Sequence, residues 1–230
     1  MTKTKINTWT KNYKKGRFNK YPFDEVVSHS LNLFPQKEKR KIIKVLDLGC
    51  GGGNNTKFLN EEGFDVYGID FSSESIKLTK KKLSNKRQRD KIIRSSFKNI
   101  PFKNNFFDFI IDRQSLGHNQ LKDIEVYVNE IFRVTKKGGI LLSFLFGDKH
   151  PHKKLGVKIK FKNSSPQDYL KFNSGVFKKS GVTHFFSFNS IKKLFKKFKV
   201  LDIIETKKKS LVKKNKSLQN THSWTVLLKK

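Results

Sequence analysis

The chain has 230 residues, with 51 Lys and Arg against 19 Asp and Glu, for a net charge of +32. That length supports one α/β domain with a sizeable core and is too short for two ordinary ones. Cys50 is the only cysteine, which excludes an intrachain disulfide; with no apolar run near the ~18 residues of a membrane helix and no signal peptide, a soluble cytoplasmic protein is expected.

In chain order, Pro22 with Asp24 and Glu25 starts a helix, its acids near the positive end of the dipole, and Phe23, Val26, Val27, Leu31 and Phe34 share one face. Ile42 to Leu48 reads as a first strand buried on both faces. Asn54 to Glu62 follows as a helix closed by Gly63, then Phe64 to Asp70 as the second strand. Ser72, Ser73 and Glu74 open another helix, and Lys80 to Asp90 is a solvated, lysine-rich stretch. Lys91 to Arg94 and Phe106 to Asp112 supply strands three and four. Ile124, Tyr127, Val128, Ile131 and Phe132 fall at helical spacing, and Gly138-Gly139 is expected to stop that helix before strand five, Ile140 to Phe146. Gly147 to Gly181 lacks clear periodicity and suggests an irregular insertion over the pocket. Ile191, Leu194, Phe195 and Phe198 give a last amphipathic helix. Val200 to Glu205 and Ser223 to Leu228 then form a closing antiparallel pair around Thr206 to His222, a polar hairpin loop with six lysines.

The most informative segment is Val45 to Asn54, Val-Leu-Asp-Leu-Gly-Cys-Gly-Gly-Gly-Asn, followed by Asp70 at the tip of the next strand. A strand running through glycines into a helix brings bare backbone N–H groups close to a ligand, and a carboxylate at the neighbouring strand tip can grip a ribose. A tight turn that binds nothing would also use glycine, but not at alternate positions with two strand acids beside it. A nicotinamide or flavin site would carry its third glycine where Asn54 stands, and Asp47 is foreign to that fingerprint.

On these residues the chain resembles the class I S-adenosylmethionine-dependent methyltransferases, from about Lys44 to Phe146 with a weaker echo beyond. The resemblance implies an α/β fold: one doubly wound Rossmann-like domain with a mostly parallel seven-stranded sheet and an antiparallel closing strand. Residues 1–40 would be a helical lid, 41–146 the cofactor core, 147–190 the substrate insertion and 191–230 the closing helix and strands. It further implies that Asp47, Gly49, Cys50 and Gly51 hold the methionine end of S-adenosylmethionine, that Asp70 binds the ribose hydroxyls, and that Phe71 lies against adenine. Ser96 and Phe97 stand in the family's stretch before strand four, where many members carry Asp at the Ser96 position to accept from the adenine amino group; a serine hydroxyl accepts more weakly. Asp112 and Arg113 would line the methionine end.

Methyl transfer is an in-line displacement, so the enzyme aligns the groups and excludes water; a hydroxyl acceptor must also lose a proton, for which histidine is suited. His118, after strand four, is a candidate base, or a helix-start residue that hydrogen-bonds backbone. His184 approaches from the other side, or belongs to the aromatic core around it. Trp9, Tyr13 and Tyr21 cover the donor or pack the first helix. His29, His150, His152 and His222 read as surface or local hydrogen-bonding residues, and no spacing demands a metal.

A cysteine-dependent cytosine C5 reaction is set aside because Cys50 sits in the glycine turn. The residues Asp112 to Ser115 do not match the run used on exocyclic base amines, and Asp112 has no acidic neighbour for metal-assisted catechol chemistry. The remaining expectation is transfer to an O or N atom of a small anionic metabolite such as a nucleotide-linked sugar, phosphate ester or carboxylate. Tyr21 to Val27, His184 and Trp224 look like small bacterial methyltransferases, some acting in saccharide or secondary biosynthesis. An RNA methyltransferase and a non-catalytic cofactor-binding scaffold are the alternatives. The charge favours nucleic acid, but 44 of the 51 basic residues are Lys, they are spread over the whole chain, and the absence of alanine points to AT-rich codon drift.

Overall fold

Alternation along the central strands gives the sheet two apolar faces, and each is covered by helices. In the computed structural model, which describes the chain apart from residues 1–2, 161–163, 179 and 212–219 and residues 3–8 by backbone alone, β1 (Lys44–Leu48) is flanked by β2 (Asp65–Asp70) and β4 (Phe107–Arg113), both parallel to it. β3 (Ile92–Arg94) extends one side. On the other, β5 (Thr135–Phe146) pairs with β4, and β10 (Thr221–Lys229) runs antiparallel between β5 and β9 (Lys199–Lys208). The result is the expected seven-stranded, mostly parallel sheet with one antiparallel closing strand, in the order β3-β2-β1-β4-β5-β10-β9.

Leu46, Leu48, Ile110 and Leu141 face Ile124, Val128 and Ile131 of α6 (Leu121–Val134) and Ile191 of α7 (Phe188–Leu194). Val45, Val66, Phe109 and Ile111 face Val26 of α2 (Asp24–Leu33) and Leu59 of α3 (Asn54–Glu61). Each such buried side chain contributes roughly 1.5–3 kcal/mol. α1 (Lys3–Lys14) lies against α4 (Ser73–Lys81), whose N-terminus is capped by the Ser72 hydroxyl accepting from Ser75 N–H. The strand order reverses between β2 and β4 around β1, so the crevice for a ligand opens at the carboxyl ends of β1 and β4.

Three boundary expectations are corrected. Gly138 and Gly139 do not stop α6: the helix ends at Val134, Thr135 is already extended (φ −69°, ψ 133°), and β5 begins there. The glycines serve a bulge in β5, where Gly138 N–H donates to Lys230 O (2.8 Å), Lys230 N–H donates to Gly139 O (3.0 Å), and a Cβ on Gly139 would lie 3.0 Å from Phe107 O. The insertion is not wholly irregular. A turn of 3-10 helix over Pro151–Leu155 leads into a three-stranded antiparallel sheet of β6 (Val157–Lys158), β7 (Asp168–Leu170) and β8 (Thr183–His184), with its own apolar cluster of Phe146, Phe172, Phe177 and Phe185. Strands of two or three residues are too short to show a period. Finally, β9 and β10 pair as far as Lys208 and Thr221, so the polar connection shrinks to 209–220, of which 212–219 lie outside the described residues. Within the solvated 80–90 stretch, a short exposed helix, α5 (Lys86–Asp90), is capped by Asn85.

Candidate functional site

Leu48 ends β1, and Gly49, Gly51 and Gly53 then take φ of 75°, 55° and 74°, left-handed values that an L side chain resists. The turn is tied on both sides. Gly49 and Cys50 N–H donate to Ile69 O (2.8 and 3.0 Å), and the Thr79 hydroxyl of α4 donates to Gly51 O (3.1 Å). Asp70 accepts Gly51 N–H at Oδ2 (3.1 Å) and Ser72 N–H at Oδ1 (2.8 Å), so one carboxylate joins the glycine turn to the tip of β2.

A cavity of about 440 Å³ lies over this turn, lined among others by Gly49, Cys50, Gly51, Asp70, Phe71, Phe97, Arg113 and His118. The structure thus brings together most of the expected donor residues. They suit an adenosyl ligand: bare glycine backbone forms the floor, and the carboxylate of Asp70, a group that accepts hydrogen bonds from hydroxyls, stands in the lining beside it. Burial pushes the Cys50 thiol well up, so it stays protonated.

Four expected residues do not line this cavity. Asp47 is turned beneath α3, where it accepts from the Thr56 hydroxyl (2.6 Å); burial pushes it up to about 6 against the pull of that hydrogen bond. Asp112 is buried under the loop after β4. Its Oδ1 accepts Ser115 and Leu116 N–H (2.8 and 3.1 Å), its Oδ2 meets the Ser143 hydroxyl (2.7 Å), and burial pushes it up to about 7. Both acids brace the walls. Ser96 is exposed, and its hydroxyl accepts Lys98 N–H in a local turn, so Phe71 and Phe97 are the residues at that end. His184, 1 % exposed, pairs through Nδ1 with Asp168 (2.6 Å), which also accepts Leu121 N–H (3.2 Å) and Ser165 N–H (2.9 Å). This cluster fastens the insertion to the start of α6, away from the cavities.

A second cavity, also about 440 Å³, adjoins the first on the insertion side. Trp9, Arg113, Gln114 and His118 line both and so mark the junction. From there a row of rings in edge contact leads inward: Trp9 to His118 (5.0 Å), His118 to Phe146 (5.1 Å), Phe146 to Phe177 (4.8 Å) and Phe177 to His150 (4.9 Å).

His150, His152 and His222 are buried, not surface residues: His150 accepts the nearby His152 N–H, whereas His152 and His222 accept from Val176 N–H and Lys149 N–H, far away along the chain. Among the described residues no group of His, Cys, Asp and Glu could hold a metal, and no helix is long and apolar enough to cross a membrane.

Trp9 and Tyr13 line the first cavity, whereas Tyr21 is 81 % exposed. Burial and the Asp70 charge push the Tyr13 hydroxyl up, so it stays protonated. Several lining residues carried no sequence signal that was used. Phe18 packs against Gly52, where a Cβ would lie 2.5 Å from its ring, and Gln114 holds a φ of 65°. Asn54 and Asn55 staple the N-terminal segment to α3 through Tyr21 O (2.8 Å) and Phe23 N–H (3.2 Å). Two asparagines directly after a glycine run at a helix start are the signal that could have found the last pair.

Comparison with known proteins agrees with this geometry. Residues 46–143 match the family model described as a methyltransferase domain. Demethylmenaquinone methyltransferase of Lactiplantibacillus plantarum is 35 % identical over 103 residues, 43 % of this chain and 43 % of the relative, so the chain matches less than half the length of this curated relative. A methyltransferase structure from Methanosarcina mazei superposes with a TM-score of 0.68 at 17 % identity, covering 91 % of this chain and 98 % of that one. The 1,6-didemethyltoxoflavin-N1-methyltransferase of Burkholderia thailandensis, solved with its acceptor and S-adenosylhomocysteine, gives 0.61 at 16 % identity, covering 99 % and 87 %. At these identities the structures speak for the fold.

Proposed function

We propose, from the match of residues 46–143 to a methyltransferase domain and the cavities over the glycine turn, that this chain moves a methyl group from S-adenosylmethionine to an O or N atom of a small anionic metabolite. The observation that carries the reading is the pair of adjoining cavities, one floored by the glycine turn and Asp70, the other walled by the insertion. The donor, when bound, supplies an electrophilic methyl on a sulfonium. The chain's own work is to hold it and to align the acceptor.

In this reading Asp70 and the amides from Gly49 to Gly51 hold the donor. Tyr13 and Phe18 cover it, resting on Gly51 and Gly52. Three histidines line the second cavity, and their tautomers separate them. His222 accepts Lys149 N–H at Nδ1 (3.0 Å) and donates from Nε2 to Glu205 (2.8 Å), so both of its nitrogens are engaged. His150 accepts His152 N–H at Nδ1 (3.2 Å), which puts its hydrogen on Nε2, and burial pushes it down to about 4. A neutral imidazole fixed in that form donates. His118 lines both cavities and so stands where donor and acceptor would meet, the position for a group that takes the acceptor's proton.

A cavity of this size is in the range of small-molecule sites, and the relative from Lactiplantibacillus plantarum and that from Burkholderia thailandensis both carry names of small acceptors. The test is isothermal titration with S-adenosylhomocysteine. Wild type should bind, and Asp70→Ala should weaken binding at least about tenfold, or ~1.4 kcal/mol. Equal affinity would remove Asp70 from the donor site.

A further inference from the structure

Arg113 is a buried cation with an incomplete set of partners. Its side chain is 16 % exposed, flanked by the rings of Phe23 (4.0 Å) and Phe144 (5.1 Å). Only Nη2 meets an acceptor, Glu25 Oε2, and at 3.4 Å that contact is long; charge-assisted pairs lie nearer 2.7–2.9 Å. Nε and Nη1 are sealed from water with no acceptor among the described residues. A buried donor left unmade is costly, and here burial also pulls the guanidinium pKa down against Glu25. The resemblance would give Arg113 to the donor's methionine end. Its one partner argues otherwise, because Glu25 lines the second cavity and not the first. Arg113 lines both cavities, with Phe23 on the side of the first and its Nη2 end meeting Glu25 on the side of the second.

The same cavity is lined by the row of rings from Trp9 through His118 and Phe146 to Phe177. Ring edges and faces favour a flat π-system at 4.5–7 Å, and a guanidinium fork matches the two oxygens of a carboxylate. Resting on the methyl-transfer reading, we propose that the second cavity takes a planar aromatic carboxylic acid whose carboxylate displaces Glu25 and is held by Arg113. Glu25 is then a built-in stand-in that occupies the fork until the acceptor arrives. In the transfer itself, the acceptor's heteroatom forms its bond to the methyl carbon as the carbon–sulfur bond breaks with its electron pair going to sulfur. The displaced proton goes to His118.

The experiment titrates three probes into protein saturated with S-adenosylhomocysteine: 4-hydroxybenzoate, its neutral methyl ester, and 4-hydroxycyclohexanecarboxylate. Wild type should prefer the aromatic acid to both others at least about tenfold, or ~1.4 kcal/mol. Arg113→Met should erase the preference for acid over ester and cost the acid more affinity than it costs S-adenosylhomocysteine, whose cavity Arg113 also lines. Glu25→Gln should move the other way, tightening the acid and leaving the ester unchanged. The proposal is overturned if acid and ester bind wild type equally, if the saturated ring binds as well as the aromatic one, or if Arg113→Met costs donor affinity as much as acid affinity. Should Arg113→Met lose its fold by circular dichroism, the wild-type comparison and the Glu25→Gln arm still decide. Failure of wild type to bind S-adenosylhomocysteine is a different result, one that strikes the methyl-transfer reading itself.

Discussion

Replacing Asp112 by Asn separates bracing from binding. The buried carboxyl satisfies two amides, Ser115 and Leu116, and contacts the Ser143 hydroxyl. Asn keeps an acceptor oxygen for the amides and offers its NH₂ to Ser143, whereas Ala leaves two buried N–H groups unmade at about 1–3 kcal/mol each. Asp112→Ala should therefore cost about 2–5 kcal/mol in urea unfolding, a large part of an ordinary domain's stability. Asp112→Asn should cost much less.

The pH dependence has a defined sign. The folded pKa is raised from 3.8 to about 7, so the folded state holds a proton that the unfolded chain has lost. The stability tied to neutral Asp112 is fully present below 3.8 and drains away as pH rises through about 7. Asp112→Asn has no such loss, so its stability relative to wild type should climb between about pH 4 and pH 7 and then level off, by an amount on the order of a few kcal/mol. Because Asp112 does not line the donor cavity, Asp112→Asn should also bind S-adenosylhomocysteine like wild type. A flat stability difference across that pH range, or Asn as damaging as Ala, would refute the assignment of Asp112 as a neutral brace.

His118→Ala should lower turnover at least about a hundredfold with a hydroxyl acceptor if its imidazole takes the proton, with donor affinity little changed; a drop of a few fold makes it a spectator. For Gly52→Ala, the new Cβ meets the Phe18 ring at 2.5 Å, so overpacking should cost about 1–3 kcal/mol of thermal or urea stability. In a Phe18→Ala background that cost should fall below about 0.5 kcal/mol. The same cost in both backgrounds would show that Phe18 is not what fills the space.

The central strands were legible because the cores of β1, β2, β4 and β5 are apolar runs set between turn residues, and Ser72 capped α4 where its hydroxyl said it would. Gly138-Gly139 misled because two glycines read as a helix stop, while the deciding partner, the chain's last residue Lys230, lies far away in sequence. The three short strands of the insertion were invisible because Val157–Lys158 and Thr183–His184 gain their pairing only from strands distant in the chain. At the site, the glycine turn and Asp70 announced themselves through local backbone chemistry. Asp47, Asp112 and His184 were assigned by position along a strand or loop, and position does not tell whether Thr56, Ser143 or Asp168 has already claimed the side chain. Phe18 reaches Gly52 only through the fold of the N-terminal segment.

The insertion packs around phenylalanines of its own, Phe172, Phe177 and Phe185, together with Phe146 of β5, and enters the main core through Phe186. Its interior can therefore be rewritten without unsettling the glycine turn. Swapping the loop between β5 and α7 for that of another member, with Phe146 and Phe186 retained, is a practical route to new chemistry on an unchanged engine, and it marks where divergence among close relatives should concentrate.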